Sequence, residues 1–183
     1  MIWFTSDTHF GHFNIIEYCH RPFKTVQYMD KMLIDNWNEK VKPGDTVYHL
    51  GDFCFKKSSE APDGNVWDFY RKQLNGDIIF IKGNHDKSNG AKTILQGALI
   101  ETFGQQVYLV HKPEHTNFHY NIAFCGHVHD KWKFKWEEKI IYDNHLFTQL
   151  IVNVGVDQWN FAPIHAHQIF KAINRFKQGR DNV

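Results

Sequence analysis

The sequence has little net charge, few cysteines and no long apolar run. Its 183 residues include 21 Lys and Arg against 20 Asp and Glu, so the formal net charge is +1 with histidine neutral. A protein whose surface binds nucleic acid is usually much more basic, so any such contact in this chain is expected to be local. No stretch approaches the roughly 20 apolar residues of a membrane span. The first residues also lack a signal-peptide pattern, so we expect neither kind of segment.

The three cysteines, Cys19, Cys54 and Cys125, are odd in number and widely spaced. This argues against a disulfide framework, and we expect buried free thiols in a cytoplasmic protein. Apolar residues make up 42% and charged residues 22% of the chain, which excludes a disordered, collagen-like or coiled-coil protein. The length suits one domain over residues 1–183 rather than two.

Short apolar runs recur along the chain, and each leads into a polar cluster. They are too short and too continuous for amphipathic helices, so they predict buried strands. The predicted strands are 2–4, 46–50, 78–81, 107–110 and 122–125. Helical spacing predicts helices from Val26 to Trp37 after a Thr25 cap, over 66–74, from Ser88 to Gln96, and from Pro163 onward. Early alternation of strands and helices indicates an α/β domain with parallel pairing, and an antiparallel or mixed second half.

The polar clusters fall at the carboxyl ends of the predicted strands, where open α/β sheets bind their ligands. They contribute oxygen and imidazole donors, which suit Mn²⁺, Fe or Zn²⁺ better than Ca²⁺ or Mg²⁺ alone. The candidate metal ligands are Asp7, His9, Asp52, Asn84, His111, His127 and His129. Seven donors are too many for one tetrahedral ion and suit two ions about 3.5–4 Å apart.

Asp52 is the natural bridge between two such ions, because it follows Gly51 at the end of a central strand. On an extended segment residues i and i+2 point the same way, so Asp7-x-His9 and His127-x-His129 would each present two ligands to one place. Each motif alone has a structural explanation. Their occurrence together, in chain order and each after a strand, makes that explanation improbable.

The set of motifs resembles the calcineurin-like metallophosphoesterases over about residues 1–130. The matching motifs are Asp7-x-His9, Gly51-Asp52, Gly83-Asn84-His85-Asp86, His111 and Gly126-His127-Val128-His129. The pattern is most similar to small single-domain prokaryotic or phage members, in which the stretches 7–14 and 153–157 are familiar. One departure is His111-Lys112-Pro113, where many relatives have His-Gly, which gives a stiffer loop that carries a cation.

The resemblance implies a fold of two packed mixed β-sheets flanked by α-helices, in four layers. It also implies two divalent metal ions, with Mn²⁺ favoured over Fe, Zn²⁺ or Ni²⁺. One ion would be held by Asp7, His9, Asp52 and His129, and the other by Asp52, Asn84, His111 and His127. Two such ions lower the pKa of a bridging water and give a hydroxide beside an electrophilic phosphorus.

These residues predict a hydrolase of phosphoric esters. His85 follows a ligand directly without being one, so it is the candidate general acid, with Asp86 accepting a hydrogen bond from its ring. His12, Asn14 and Arg21 are weaker candidates for substrate contact. The expected substrate is a small phosphate mono- or diester of the nucleotide or cyclic nucleotide class.

Two alternatives stay open. The stretch from Lys131 to Trp136 alternates cations with aromatics, and on a strand it would place three lysines on one face. Such a face favours either an edge that resists pairing or a surface for single-stranded nucleic acid, so a nuclease is one alternative. The other is a catalytically silent scaffold that binds proteins. Neither a membrane partner nor an oligomeric state is predicted.

Overall fold

The protein, described here by a computed structural model for residues 1–58, 61, 65–86, 93, 95–141 and 144–179, contains two mixed β-sheets with flanking helices. In chain order the strands are β1 (Ile2–Thr5), β2 (Thr46–His49), β3 (Asp77–Phe80), β4 (Gly97–Thr102), β5 (Gln105–Val110), β6 (Ile122–Cys125), β7 (Phe134–Ile141), β8 (His145–Asn153) and β9 (Ile164–His165). The helices are α1 (Phe13–Tyr18), α2 (Val26–Lys40), α3 (Val66–Arg71) and α4 (Ala166–Lys177). The predicted fold class is confirmed.

The strand order explains why the polar clusters meet. One sheet has the order β3-β2-β1-β9, with β1, β2 and β3 parallel and β9 antiparallel to β1. The other has the order β4-β5-β6-β8-β7, with β5, β6 and β8 parallel and antiparallel pairs at both edges. The mixture of parallel and antiparallel strand pairs in the second half of the chain is as predicted. Because parallel strands end together, the loops after β1, β2, β3, β5 and β6 are free to converge.

Alternation along the strands divides the core into layers. Trp3 and Val47 pack with the buried faces of α1, α2 and α3 on one side of the first sheet. Phe4 and Leu50 point the other way and share a core with the second sheet and with α4. On the far face of the second sheet, Tyr108 stacks on Tyr120 with ring centroids 5.8 Å apart.

The helix predictions differ in outcome. α2 begins where predicted, because the Thr25 side chain accepts a hydrogen bond from the main-chain N–H of Tyr28 at 3.2 Å. The last helix begins at Ala166 rather than Pro163, since Ile164 and His165 pair with β1 as a strand. Most of the helix predicted over 88–96 lies outside the described residues, and β4 starts directly after it.

The cysteine prediction is confirmed, since Cys19, Cys54 and Cys125 are all buried thiols outside any disulfide. The prediction of a lysine face over 131–136 is wrong. β7 begins only at Phe134, so the first three residues of the stretch precede the strand. Lys133 lies over the Trp159 ring at 4.6 Å, and Lys135 pairs with Glu137. In the described part of the chain, no helix has the length and apolar character needed to cross a membrane.

His49, in β2, is a fully buried histidine, and its surroundings keep it neutral. The Thr8 hydroxyl donates to the carbonyl of Phe53 at 2.7 Å, so the Nε2–H of His49 must donate to Thr8 Oγ1 at 3.0 Å. Its Nδ1 is buried and has no hydrogen-bond partner among the described residues. Burial lowers the pKa of His49 to about 3.

We therefore expect the free energy of unfolding to fall as the pH drops below about 6.5, because the unfolded chain takes up a proton at His49 that the folded chain refuses. The decrease in the free energy of unfolding that is due to His49 reaches about 2 kcal/mol at about pH 5. Urea unfolding of metal-free wild type and His49→Gln, whose amide can still donate to Thr8, measures this decrease as a difference. Equal acid sensitivity of the two proteins would show that the folded state accepts the proton.

Candidate metal centre

The loops after five strands bring the predicted ligands to one edge of the two sheets. Asp7 and His9 follow β1, Asp52 follows β2, Asn84 follows β3, His111 follows β5, and His127 and His129 follow β6. All are buried or partly buried. The predicted ligands form two groups at this edge: the ligand atoms of Asp7, His9 and His129 lie within 4.8 Å of one another, as do those of Asp52, His111 and His127. His129 also belongs to a third such group, with Cys19 and Asp157.

Asp52 lies between the two groups. Its Oδ2 is 3.7 Å from Nε2 of His9 and 3.3 Å from Nε2 of His111. Its Oδ1 accepts a hydrogen bond from the main-chain N–H of His85 at 2.9 Å, which fixes the plane of the carboxylate. Asn84 joins the second group, with Oδ1 3.0 Å from Nε2 of His111. One carboxylate oxygen thus faces donors from both groups.

The prediction that Asp7-x-His9 and His127-x-His129 lie on extended backbone is wrong, although Asp7 and His9 do reach one group as expected. Asp7, His9, Asp52, His127 and His129 all have positive φ, between 48° and 71°. This left-handed conformation is uncommon outside glycine, although Asp and His adopt it more readily than most residues. It turns the chain sharply at each ligand, so His127 and His129 reach different groups instead of one place. Backbone strain concentrated in this way is typical of functional sites.

The glycines before Asp52 and Asn84 allow two loops to touch. A Cβ on Gly83 would lie 2.1 Å from Oδ1 of Asp52. Gly51 has a φ of 96°, and a Cβ there would lie 2.6 Å from the Cα of Gly83 and from Nδ1 of His111. Only glycine fits either position, so the Gly51-Asp52 and Gly83-Asn84 motifs encode backbone contact as well as ligands.

Asp86 has a different role from the one predicted. Its buried carboxylate accepts main-chain N–H groups from Asp52 at 2.9 Å, Phe53 at 3.1 Å and Gly83 at 2.8 Å. Among the hydrogen bonds of the described residues there is none from the ring of His85 to this carboxylate. Asp86 therefore holds the two ligand-bearing loops together.

Arg21 is not placed to clamp a substrate phosphate, which corrects the prediction made from its position before Pro22. Its side chain is 0% exposed, and Nε and Nη2 bind the carboxylate of Asp157 at 2.8 and 3.0 Å. Its other donors reach the carbonyls of Asp7 at 2.7 Å and Thr8 at 3.1 Å. A substrate cannot reach this guanidinium, which supports the β1 loop from beneath.

Asp157 is a site residue that sequence reasoning missed. It lies just after β8, within the 153–157 stretch that the resemblance marked without giving it a role. The Nδ1–H of His129 donates to its Oδ2 at 3.0 Å, which leaves Nε2 of His129 for a metal. The Nδ1–H of His111 donates to the carbonyl of Leu50 at 2.6 Å and fixes that ring in the same way.

Replacing Asp157 with asparagine should weaken metal binding and stability together. The amide is neutral and has one acceptor oxygen in place of two, so it cannot accept all three hydrogen bonds from Arg21 and His129, and we expect metal affinity to fall by about 10–100-fold. The unfolding free energy of the metal-free protein should fall by about 3 kcal/mol, because the buried Arg21 loses its counter-charge. Metal titration and urea unfolding measure the two effects. The double variant Arg21→Met, Asp157→Asn should be less destabilised than the sum of the single variants, and simple additivity would contradict the coupling.

His85, His12 and Asn14 lie outside the ligand groups. His85 is exposed, with its ring centroid 5.7 Å from that of His9. His12 is partly buried; its ring stacks on Phe55 at 4.6 Å and lies 5.4 Å from His9. Asn14 is exposed on α1. The structure thus brings His85 and His12 beside the centre.

The pKa values of the residues at the centre are shifted by burial and by neighbouring charges. Burial would raise the pKa of Asp52, but the hydrogen bond and charge of His111 outweigh it and hold that pKa below its usual range. The same pair has the opposite effect on His111. Burial would lower the pKa of His111, but its hydrogen bond to Asp52 outweighs burial and raises that pKa to about 9. Burial raises the pKa of Asp7 and lowers the pKa of His127, where the charges of His111 and Lys112 add to the effect.

The donors fit divalent metal ions. Nε2 of His9 is buried and has no hydrogen-bond partner among the described residues, although Oδ2 of Asp52 faces it from 3.7 Å. A cation between them would serve both atoms, and it would also relieve the desolvated carboxylate of Asp7. Carboxylate, amide and imidazole donors together suit Mn²⁺, Fe and Zn²⁺.

Comparisons with known proteins show the family of the chain. The family model of the calcineurin-like phosphoesterase superfamily domain matches residues 1–167. An uncharacterized protein of Methanocaldococcus jannaschii is 37% identical over 187 residues, covering 96% of this chain and 93% of that protein. The gene 66 protein of Mycobacterium phage L5 is 25% identical over 211 residues, covering 96% and 95% of the two chains. The crystal structure of a protein of unknown function from Aquifex aeolicus has a TM-score of 0.67 at 26% identity, covering 94% of this chain and 98% of that one. The chain belongs to the calcineurin-like phosphoesterase superfamily.

Proposed function

We propose that the protein is a metal-dependent hydrolase of phosphate mono- or diesters of small substrates in the nucleotide or cyclic nucleotide class, acting as one domain. The observation that carries this proposal is the position of Asp52, whose Oδ2 lies 3.7 Å from a donor of one group and 3.3 Å from a donor of the other. A carboxylate placed between two donor groups suits a pair of cations, because its charge offsets their repulsion.

The family is metal-dependent, and this chain has donors for two ions. Asp7, His9, Asp52 and His129 would hold one, and Asp52, Asn84, His111 and His127 would hold the other, with Mn²⁺ as the favoured metal. When bound, such a pair polarises a phosphoryl oxygen and lowers the pKa of a water toward neutrality. The Nδ1–H bonds of His111 and His129 orient the two rings, so that Nε2 of each ring is the nitrogen that would bind metal.

His85 is the residue that we assign as general acid. Its main-chain N–H is fixed on Oδ1 of Asp52, while its ring is exposed and lies beside His9. The ring therefore stands at the open side of the centre, where it can donate a proton to the leaving oxygen of an ester. Asp86 supports this arrangement by holding the two loops together.

The two alternatives receive less support. A nuclease would use the lysines of 131–136, but Lys133 lies over Trp159 and Lys135 pairs with Glu137. A silent scaffold would have no need of so many donors held in strained conformations around one carboxylate.

The decisive experiment is a panel of phosphate monoesters and diesters, including p-nitrophenyl phosphate, bis-p-nitrophenyl phosphate and cyclic nucleotides. The protein is first stripped by a chelator and then supplied with Mn²⁺, Ni²⁺, Zn²⁺ or Mg²⁺. We expect hydrolysis that requires added metal, with about two ions bound per chain. A metal-loaded sample that hydrolyses none of these esters would exclude the proposal.

A further inference from the structure

A cavity of about 430 Å³ opens beside the second ligand group. Asn84 and His111 form its metal-facing wall, and Lys82, Lys112, His115 and Gln96 line the remainder. This volume lies in the range of small-molecule sites, so it can hold more than a single water. A substrate whose scissile phosphorus lies at the centre would therefore have its adjoining part next to this cavity.

The charge of the cavity has one sign. Lys82 follows β3 and Lys112 follows β5, so the ends of neighbouring loops bring two ammonium groups to it. None of the described residues that line it is acidic. Lys112 has a carboxylate 3.8 Å away, on Glu114, but both side chains are partly exposed and such a pair contributes little. In the described part of the chain Lys82 forms no ion pair.

The sequence and the loop geometry restrict the backbone that carries these two lysines. Lys112 stands between His111 and Pro113, where a flexible glycine would be expected from the family pattern. Pro113 begins a short 3₁₀ helix that ends at His115, so the chain after Lys112 is stiff. Lys82 is held by its main-chain N–H, which donates to the carbonyl of Leu95 at 2.8 Å. Ammonium groups on anchored loops bind phosphate as point charges.

We infer that this Lys82–Lys112 cavity binds a second phosphoryl group, so that the preferred substrates carry two phosphoryl groups, as nucleoside diphosphates and bisphosphates do. The inference rests on the proposed function, since it places the scissile group at the metal centre. It narrows the substrate class, because a monoester with one phosphoryl group would leave Lys82 without an anionic partner among the described residues and Lys112 with only its partly exposed pair to Glu114.

The test uses ligands that the enzyme cannot hydrolyse, because phosphonates have P–C bonds in place of the ester. Calorimetry in buffer with constant free Mn²⁺ compares propylphosphonate with alkane-diphosphonates of two to four carbons. We expect the best diphosphonate to bind about 5–30-fold more tightly than the monophosphonate. The double variant Lys82→Gln, Lys112→Gln should lose most of that preference, and Lys112→Arg should keep it.

Lys171→Gln is the matched control. Lys171 lies on α4 beside Phe103, at the opposite end of β5 from His111, so the same loss of charge there should leave the preference unchanged. A further arm adds inorganic phosphate to the monophosphonate. If phosphate strengthened monophosphonate binding in the wild type and the best diphosphonate had no advantage, the cavity would serve free phosphate and the inference about substrates would be overturned.

The two proposals fail separately. Equal affinity of the wild type for monophosphonate and diphosphonates, or a preference that survives in the double lysine variant, would overturn the cavity assignment whether or not esters are hydrolysed. Absence of ester hydrolysis would instead overturn the proposed function, because the calorimetric comparison does not depend on turnover.

Discussion

Replacing Asp52 with asparagine is expected to remove bound metal and ester hydrolysis together. Oδ2 of Asp52 is the atom that faces both His9 and His111, so replacing the carboxylate with a neutral amide removes one negative charge that both groups share. The affinity for metal should fall by more than the about 10–100-fold that follows loss of an outer partner. Elemental analysis after dialysis and a rate measured at saturating Mn²⁺ check the two effects.

Asp35→Asn is the matched control for Asp52→Asn. Asp35 is exposed on α2 and pairs with Lys31, so its loss should leave metal content and rate at wild-type values. Asp52→Asn should still fold, because the loops around it also depend on Asp86 and on main-chain hydrogen bonds. Two full equivalents of metal in the folded Asp52→Asn protein would contradict the bridging position.

The residues at the centre could be predicted because the order of the strands determines where each of them lies. Each predicted ligand follows a short apolar strand, and parallel strands end at one edge, so strand order alone brings Asp7, Asp52 and Asn84 together. Neither the distances nor the division into two groups follow from that pattern. His127 and His129 show the difference, because their left-handed backbone sends neighbouring ligands to separate groups.

The supporting residues were not predictable, because their contacts are distant in sequence. Arg21 and Asp157 are 136 positions apart, and nothing local to either one indicates the other. Asp86 lies within a motif, but its position three residues after Gly83 is equally compatible with a partner for His85. Only the three main-chain N–H groups that it accepts show that it joins two loops.

Two short elements were missed for a related reason. β9 has two residues, and its pairing with β1 depends on Phe4 and Trp3 rather than on a strand pattern of its own. α1 covers only six residues, too few for a helical repeat to be visible. The helix α4, by contrast, is predicted by the spacing of Ile169 and Ile173. Only its start differs from the prediction, because the helix begins at Ala166 rather than at Pro163.

His85→Asn is expected to retain metal and lose turnover. The main-chain N–H of His85 would still bind Oδ1 of Asp52, so the carboxylate keeps its orientation and the metal content stays at wild type. The ring is exposed, so its loss should cost little stability. We expect kcat to fall by about 10²–10⁴-fold, the contribution of a general acid. His145→Asn, a change of the same kind at the exposed start of β8, should leave kcat unchanged.

The leaving group distinguishes a proton donor from a residue that only shapes the site. An alkoxide needs a proton as the ester bond breaks, whereas p-nitrophenolate leaves without one. The loss in His85→Asn should therefore be greatest for alkyl esters and smallest for p-nitrophenyl esters, with metal content equal in every assay. A uniform loss across the series would assign His85 to substrate binding, and full activity toward alkyl esters would remove it from the mechanism.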